Sequence, residues 1–311
     1  MVLNLVIYLA SFVLIWFGAG LIISSIDHFS RKLRFSSFAI SFIILGLLTS
    51  SPEFSVGLQA VAKNDPNVFI GNLIGGIPVI FLFIAPILAI FGNGIKLKHY
   101  FDKRTFVAIL AVCLAPSILI LDHHVTYGDG IILIILYFIL VLLIQRKHGI
   151  FDSSHTEVLN VKAYSYIDII KILIGVGIVF ATGKVIFDQT VYFSQLFSVS
   201  PFFISLVALS IGTNFPELSL AIRSIASGKK EIAFGDYLGS AAANTFLFGL
   251  FTILSGGEVV TENNFFVTFT FITVGLTLFY LFSRSGNKIS RLEGIALLLL
   301  YLLFIVFELA S

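Results

Sequence analysis

The sequence predicts an all-α membrane protein of ten transmembrane helices, arranged as two inverted repeats of five helices each. Of the 311 residues, 58% are hydrophobic and only 12% are charged, whereas ordinary globular domains carry about 25% charged residues. The apolar runs are roughly 20 residues long, enough to cross a hydrocarbon core of about 30 Å. A soluble domain is therefore excluded, and the net charge of +2 gives no reason to expect nucleic acid as a partner.

Ten apolar segments divide the chain into two halves. They span 3–26, 36–62, 67–91, 104–121, 129–145, 165–187, 201–226, 231–255, 265–282 and 291–309. The longest polar stretch between them, 146–163, is predicted to be a cytoplasmic connecting loop. It separates a first repeat of five helices at 1–145 from a second at 164–311.

The two halves share residues at a fixed offset of 164 positions. The matched pairs are Thr49 and Thr213, Pro52 and Pro216, Glu53 and Glu217, Gly71 and Gly235, Gly75 and Gly239, Gly130 and Gly294, and Tyr137 and Tyr301. Each half holds five segments, an odd number, so the second half must enter the membrane from the opposite side. Inverted repeats of this kind are typical of secondary transporters, whose substrates bind near the midplane at the repeat interface.

The basic residues predict the orientation in the membrane. Most of the 19 Lys and Arg residues lie in the connections that follow the odd-numbered segments. By the positive-inside rule these connections are cytoplasmic, which places both termini on the extracytoplasmic side of the cell (plasma) membrane. The first segment has neither a basic leader nor a cleavage site, so we expect it to remain as a helix.

Two carboxylates lie inside apolar segments, Glu53 and Glu217, and each follows a proline. An unpaired charge at this depth costs roughly 3 kcal/mol or more, and no Lys or Arg is predicted nearby. A structural hydrogen bond or an ion pair is one explanation for a glutamate at this depth. Because no cationic partner is predicted, bound cations or protons are the favoured explanation. The prolines also free backbone carbonyls, and oxygen ligands of these kinds suit calcium, sodium or magnesium.

The next helix of each half offers fewer candidates. Ser240 and Asn244 lie four residues apart on one face and are candidate ligands, whereas their counterparts, Gly76 and Ile80, have no side-chain oxygen. Asp236 is expected near the cytoplasmic entry of its helix, more often a solvated or capping residue than a functional one. The glycines four residues apart at the start of these helices are expected to allow close backbone packing.

The motifs at 46–53 and 212–217, each followed by a glycine-rich helix, resemble the paired repeat motifs of the sodium/calcium exchanger family, part of the calcium/cation antiporter superfamily. The likeness is to prokaryotic-type members, and the motifs extend over 46–80 and 210–244. The resemblance implies secondary active antiport by alternating access, with Ca²⁺ exported against Na⁺, or against H⁺ in some branches. In this family the first and sixth helices are the moving pair.

The resemblance also implies roles for individual residues. Glu53 and Glu217 match the two carboxylates that bridge Ca²⁺, and Ser240 keeps the family's serine. Asn214 stands where serine is usual, and Asn244 where aspartate is frequent. The complete set of expected cation ligands is Glu53, Glu217, Thr49, Thr213, Ser50, Asn214, Ser240 and Asn244.

Departures from the family pattern affect the expected charge balance. Gly76 replaces a serine and Ile80 replaces an Asn or Asp, so the polar ring of the site is reduced. Two carboxylates neutralise one divalent ion, two sodium ions or two protons. We therefore expect exchange closer to electroneutral than the three-sodium mode that the family often shows.

These observations predict a Na⁺/Ca²⁺ exchanger with Ca²⁺ between Glu53 and Glu217. An antiporter of H⁺ and Ca²⁺, or of another cation, is the alternative of the same class, and a cation channel is the alternative of a different class. An enzyme is not expected, because no nucleophile–base pair lies at membrane depth. We expect no cofactor and no obligate protein partner; the predicted partners are the transported ions and the lipid bilayer.

Overall fold

The structure is a computed structural model that describes residues 1–30, 42–43, 46–96, 103–148, 166–227, 230–285 and 288–310. Its helices are α1 (Val2–Ser30), α2 (Gly46–Thr49), α3 (Ser51–Ala62), α4 (Pro66–Pro78), α5 (Ala85–Phe91), α6 (Lys103–Leu119), α7 (Tyr127–His148), α8 (Tyr166–Phe197), α9 (Pro201–Ile204), α10 (Ser210–Thr213), α11 (Phe215–Ser227), α12 (Lys230–Leu254), α13 (Phe266–Arg284) and α14 (Arg291–Ala310). Two π-helical segments, π1 (Val79–Ile84) and π2 (Ser205–Leu209), join α4 to α5 and α9 to α10.

Eight helical stretches of the described residues are long and apolar enough to cross a membrane. They are Val2–Ser25, Pro66–Phe91, Tyr127–Gln145, Tyr166–Phe197, Pro201–Ile222, Phe234–Leu254, Phe266–Arg284 and Arg291–Ala310. Large apolar side chains such as Leu9 and Leu142 are more than half exposed on the outer helices, as expected of a surface that faces lipid. The chain is an integral, multi-pass membrane protein of almost entirely helical structure.

Two stretches form the centre of the molecule. Of the most apolar part of Pro66–Phe91, 83% is buried, and of Phe234–Leu254, 78%, against 28–39% for the stretches in α1, α7, α8 and α14. The central helices therefore face protein on nearly all sides. Polar side chains that they carry are shielded from both lipid and water.

Glycines set the close approach between the central helices and the segments that precede the two glutamates. A Cβ atom at Gly75 would lie 2.9 Å from the backbone Cα and carbonyl carbon of Leu206, in π2. A Cβ at Gly239, in α12, would collide with the backbone of Phe42. These contacts confirm the close-packing role expected of Gly75 and Gly239.

Two short antiparallel pairs of strands complete the fold. β1 (Ile95–Lys96) pairs with β4 (Lys288–Ile289), and β2 (His124–Thr126) pairs with β3 (Glu258–Val260). Ile95 lies opposite Ile289 in one pair and Val125 opposite Val259 in the other. At the 164-residue offset Ile95 corresponds to Val259, and Val125 corresponds to Ile289, so one strand pair repeats the other. The two halves are therefore alike in their loops as well as in their helices.

The sixth segment is longer than predicted. We expected it to end at residue 187, but α8 continues to Phe197. Thr190 bonds the carbonyl of Ile186 within the helix (2.8 Å) and the hydroxyl of Tyr8 in α1 (2.9 Å). The hydroxyl of Thr190 thus finds both of its partners within the packed helices α1 and α8, and α8 continues past it.

Some predicted features fall outside the described residues. Most of the connecting loop 146–163 lies there, as do 36–41 and 44–45 of the second segment. Several of the basic residues used to predict orientation, including Arg31, Lys32 and Arg34, lie there as well.

The glycine contacts lead to a stability prediction. Gly75→Ala places a methyl group against the backbone of Leu206, which cannot move as a side chain would, so we expect a loss of about 2 kcal/mol in unfolding free energy. Gly20→Ala is the matched control, because nothing lies within 4 Å of its Cβ position. Thermal unfolding in detergent measures both; equal melting temperatures for the two variants would contradict this packing.

Candidate cation-binding site

Two helices are interrupted at matching positions beside the glutamates. Between α2 and α3, Ser50 has φ −75° and ψ 9°; between α10 and α11, Asn214 has φ −86° and ψ 16°. Pro52 and Pro216 follow two residues later, and neither can donate to the carbonyl four residues before it. Each interruption therefore leaves backbone oxygen atoms without their α-helical donors.

Glu53 and Glu217 lie in the first turns of α3 and α11. Both side chains are 0% exposed. The amino-terminal end of a helix carries a partial positive charge, which stabilises a nearby carboxylate. The two carboxylates also lie close enough to repel each other, so the helix ends offset only part of the cost of burying them.

Each predicted threonine contacts a side chain of the other half. The Oγ1 of Thr49 donates to Oδ1 of Asp236 (3.1 Å), and the Oγ1 of Thr213 donates to Oδ1 of Asn72 (3.0 Å). Asn72 and Asp236 are themselves a pair at the 164-residue offset. These two hydrogen bonds fasten each broken helix to the central helix of the opposite half.

Ser240 connects the two broken helices. Its hydroxyl donates to Oε1 of Glu217 (2.6 Å) and lies 3.3 Å from the hydroxyl of Ser50. Ser50 in turn donates to the carbonyl four residues before it (2.8 Å), and the amide of Asn214 does the same (2.8 Å). The orientation of Glu217 is therefore fixed by a hydroxyl from α12.

Asn244 occupies the space that a side chain at Gly76 would need. Its amide nitrogen donates to the carbonyl of Leu73 (3.3 Å) and lies 2.5 Å from the position of a Cβ at Gly76. The Asn214 amide nitrogen is 3.4 Å from that same position. The missing side chain at Gly76 is explained by this crowding, since a serine there would displace the amide of Asn244.

Among the described residues, several buried oxygen atoms of the site find no hydrogen-bond donor. They are both carboxylate oxygens of Glu53, Oε2 of Glu217, Oδ2 of Asp236, Oδ1 of Asn214 and Oδ1 of Asn244. Burying such an acceptor without a partner costs about 1–3 kcal/mol, and more when it is charged. A bound cation would satisfy these atoms, and oxygen-only ligands fit hard ions such as Ca²⁺, Na⁺ and Mg²⁺.

All eight predicted ligands are buried, at 0–1% exposure, and the contacts above bring them together around the two interruptions. Among the described residues no group of three or more His, Cys, Asp and Glu side chains is arranged to hold a metal. The acceptors described above are a mixture of carboxylate, amide and hydroxyl oxygens.

Two residues of the site were missed by the sequence analysis, Asn72 and Asp236. The expectation that Asp236 is solvated near the membrane surface was wrong, because the side chain is 0% exposed and bonds Thr49. The usable signal was the 164-residue offset itself, which pairs these two positions just as it pairs the threonines they contact.

The chain is similar over its whole length to known membrane proteins. It is 22% identical to the putative antiporter CaxA of Alkalimonas amylolytica, with 97% of each chain covered. It is 29% identical to the sodium/calcium exchanger MaX1 of Methanosarcina acetivorans over 45% of this chain and 40% of that protein. A structure of the sodium-calcium exchanger NCX_Mj superposes with a TM-score of 0.69 at 22% identity, covering 98% of both chains.

The family model described as sodium/calcium exchanger protein matches the chain twice, over residues 3–145 and 168–310. The two matches include both interrupted helices and both central helices. Together they extend over nearly the entire chain. The chain therefore belongs to the sodium/calcium exchanger protein family.

Proposed function

We propose that the chain is a secondary active antiporter that exchanges Na⁺ for Ca²⁺, with Ca²⁺ bound between Glu53 and Glu217. The observation that carries this proposal is the pair of fully buried carboxylates on two matched broken helices. Three of their four oxygens have no donor in the part of the chain that the structure describes. Two carboxylates balance the charge of one divalent cation. Family membership and the antiporters among the relatives support the same activity.

The oxygens around the two glutamates suit Ca²⁺, which takes 6–8 oxygen ligands at about 2.3–2.6 Å. Glu53 and Glu217 supply the charge, and the hydroxyl of Ser240 holds Glu217 in place. The other proposed ligands contribute hydroxyl, amide or backbone oxygens: Thr49, Ser50, Thr213, Asn214, Ser240 and Asn244. Such a mixed set releases its ion more readily than an all-carboxylate cage, as a transporter requires.

We infer that the ten segments form two inverted repeats, 1–145 and 164–311. Matched contacts at the 164-residue offset support this: the two threonine bonds, the two strand pairs and two helix starts. At those starts the backbone amide of Thr126 donates to Asp129 (2.8 Å) and that of Ser290 donates to Glu293 (2.7 Å). The double match of one family model supports it as well.

Alternating access requires a cover that moves over the site, and we assign that role to α1 and α8. They pack together through Gly18 and Gly175, since a Cβ at Gly175 would lie 2.7 Å from the carbonyl of Gly18. From α1, the ring of Phe12 lies against Gly212 beside Thr213. Movement of this pair would open and close the site towards one side of the membrane at a time.

The proposed orientation places both termini outside the cell, in the plasma membrane. In a Cys113→Ala background, a cysteine at Val2 should react with a membrane-impermeant thiol reagent in intact cells. A cysteine at Lys103 should react only after permeabilisation, because α6 begins on the cytoplasmic side. The reverse labelling pattern would contradict the orientation.

Calcium flux in proteoliposomes tests the exchange activity. Vesicles loaded with Na⁺ and diluted into radioactive Ca²⁺ should accumulate Ca²⁺, whereas vesicles without an ion gradient should not. A proton gradient in place of the Na⁺ gradient tests the H⁺-coupled alternative in the same assay. Equal accumulation in all three conditions would indicate a channel and refute antiport.

The same assay tests the two glutamates. Glu53→Gln and Glu217→Gln each remove one of two charges that face a divalent ion, a loss of about 3 kcal/mol, or about a hundredfold in apparent Ca²⁺ affinity. Glu258→Gln is the matched control, because Glu258 is exposed and bonds His124 on the surface. Undiminished transport by both site variants would refute this position for Ca²⁺.

A further inference from the structure

The outer face of α8 carries two charged side chains in a part of the helix that lies within the membrane. Lys184 and Asp188 are both exposed, and the side chains exposed on either side of them along α8, such as Leu173 and Phe197, are apolar. At roughly 1.5 Å of rise per residue, the nearer end of α8 is about 20 Å from Lys184. Charged residues in contact with lipid are costly and rare, so these two call for a partner.

Contacts on the inner side of α8 place Lys184 level with the candidate site. The adjacent Gly183 lies against the side chain of Ser55, whose hydroxyl donates to the carbonyl of Val179 (3.0 Å). Ser55 lies in the same short helix as Glu53, half a turn further on. α8 therefore passes the broken helices at the level of Lys184. Lipid headgroups begin about 15 Å from the middle of a bilayer, farther than a lysine side chain extends.

Neither charge is compensated within the described part of the chain. There, Lys184 and Asp188 form no ion pair with each other or with a third side chain. Ala181 and Gly177 continue the same face one and two turns earlier; both are exposed, and a Cβ at Gly177 would meet no atom within 4 Å. Small residues four apart let another helix approach closely in a membrane. The face thus offers room for a second helix next to two unpaired charges of opposite sign.

We propose that this face of α8 binds the same face of a second copy of the chain, which makes the protein a dimer in the membrane. Two copies inserted in the same orientation bring their α8 helices together in parallel, about a two-fold axis. Lys184 of each copy then lies one turn from Asp188 of the other, and two equivalent ion pairs form. A face with one positive and one negative charge is complementary to itself, whereas an anionic headgroup would satisfy the lysine alone.

The dimer leaves the internal contacts of α8 intact. Gly175, which packs on Gly18 of α1, and Val179 and Gly183, which contact Ser55, lie on other sides of the helix. The interface is also separate from the cation-binding residues, so it does not depend on which ions are exchanged.

Charge reversal tests the ion pairs. Chains carrying one fluorophore each are reconstituted at increasing dilution into phosphatidylcholine vesicles, and single-molecule photobleaching counts the chains per particle. Lys184→Asp and Asp188→Lys each bring like charges together, so the dissociation constant in the bilayer should rise by about tenfold or more. The double reversal restores opposite charges and should restore wild-type association. Glu262→Lys, which reverses an exposed charge outside the helices, is the matched control and should associate as the wild type does.

Ala181→Phe is a second variant, which fills the small face from the lipid side and leaves the charges in place. It should be monomeric with an unchanged melting temperature, and it decides alone if the reversal variants do not fold. A wild type that is monomeric at every dilution would overturn the proposal, as would dimers that persist in Ala181→Phe or a folded double reversal that stays monomeric. Dimers that form only after anionic lipid is added would assign Lys184 to a headgroup and overturn it too. Ion transport enters none of these readouts, so their outcome is distinct from that of the function proposed above.

Discussion

The structure depends on keeping two carboxylates, Glu53 and Glu217, fully buried, although neither has a basic partner among the residues that the structure describes. Three features of the fold reduce that cost. Each carboxylate lies in the first turn of a helix, each belongs to a broken helix whose proline frees a backbone oxygen, and Ser240 donates to one of them. The remaining unpaired oxygens are satisfied in our account by transported cations.

The two halves have the same frame but different chemistry at the site. Both threonines bond the opposite half in the same geometry, yet the acceptor is the amide of Asn72 in one case and the carboxyl group of Asp236 in the other. Asn244 keeps an amide that its counterpart Ile80 lacks, and the bare backbone of Gly76 provides room for that amide. The second half therefore contributes more of the acidic and polar side chains of the site, whereas Gly76 in the first half leaves room for one of them.

Much of this architecture could be predicted from the sequence, because lipid imposes long apolar segments and a buried charge stands out against them. Membrane character, the burial of Glu53 and Glu217, and the close packing at Gly75 all follow from such patterns. The end of α8 could not be predicted, because the hydroxyl of Thr190 is satisfied by a partner in another helix. Asp236 was misplaced for a similar reason: its depth depends on how the central helices pack, which hydropathy does not record.

Diffraction from crystals grown with Ca²⁺ would test the central claim most directly, through the anomalous signal of the ion. The account predicts one strong peak within about 2.3–2.6 Å of carboxylate oxygens from both Glu53 and Glu217, the usual Ca²⁺–oxygen range. A peak that contacts only one of the two glutamates, or one that lies away from both broken helices, would contradict it.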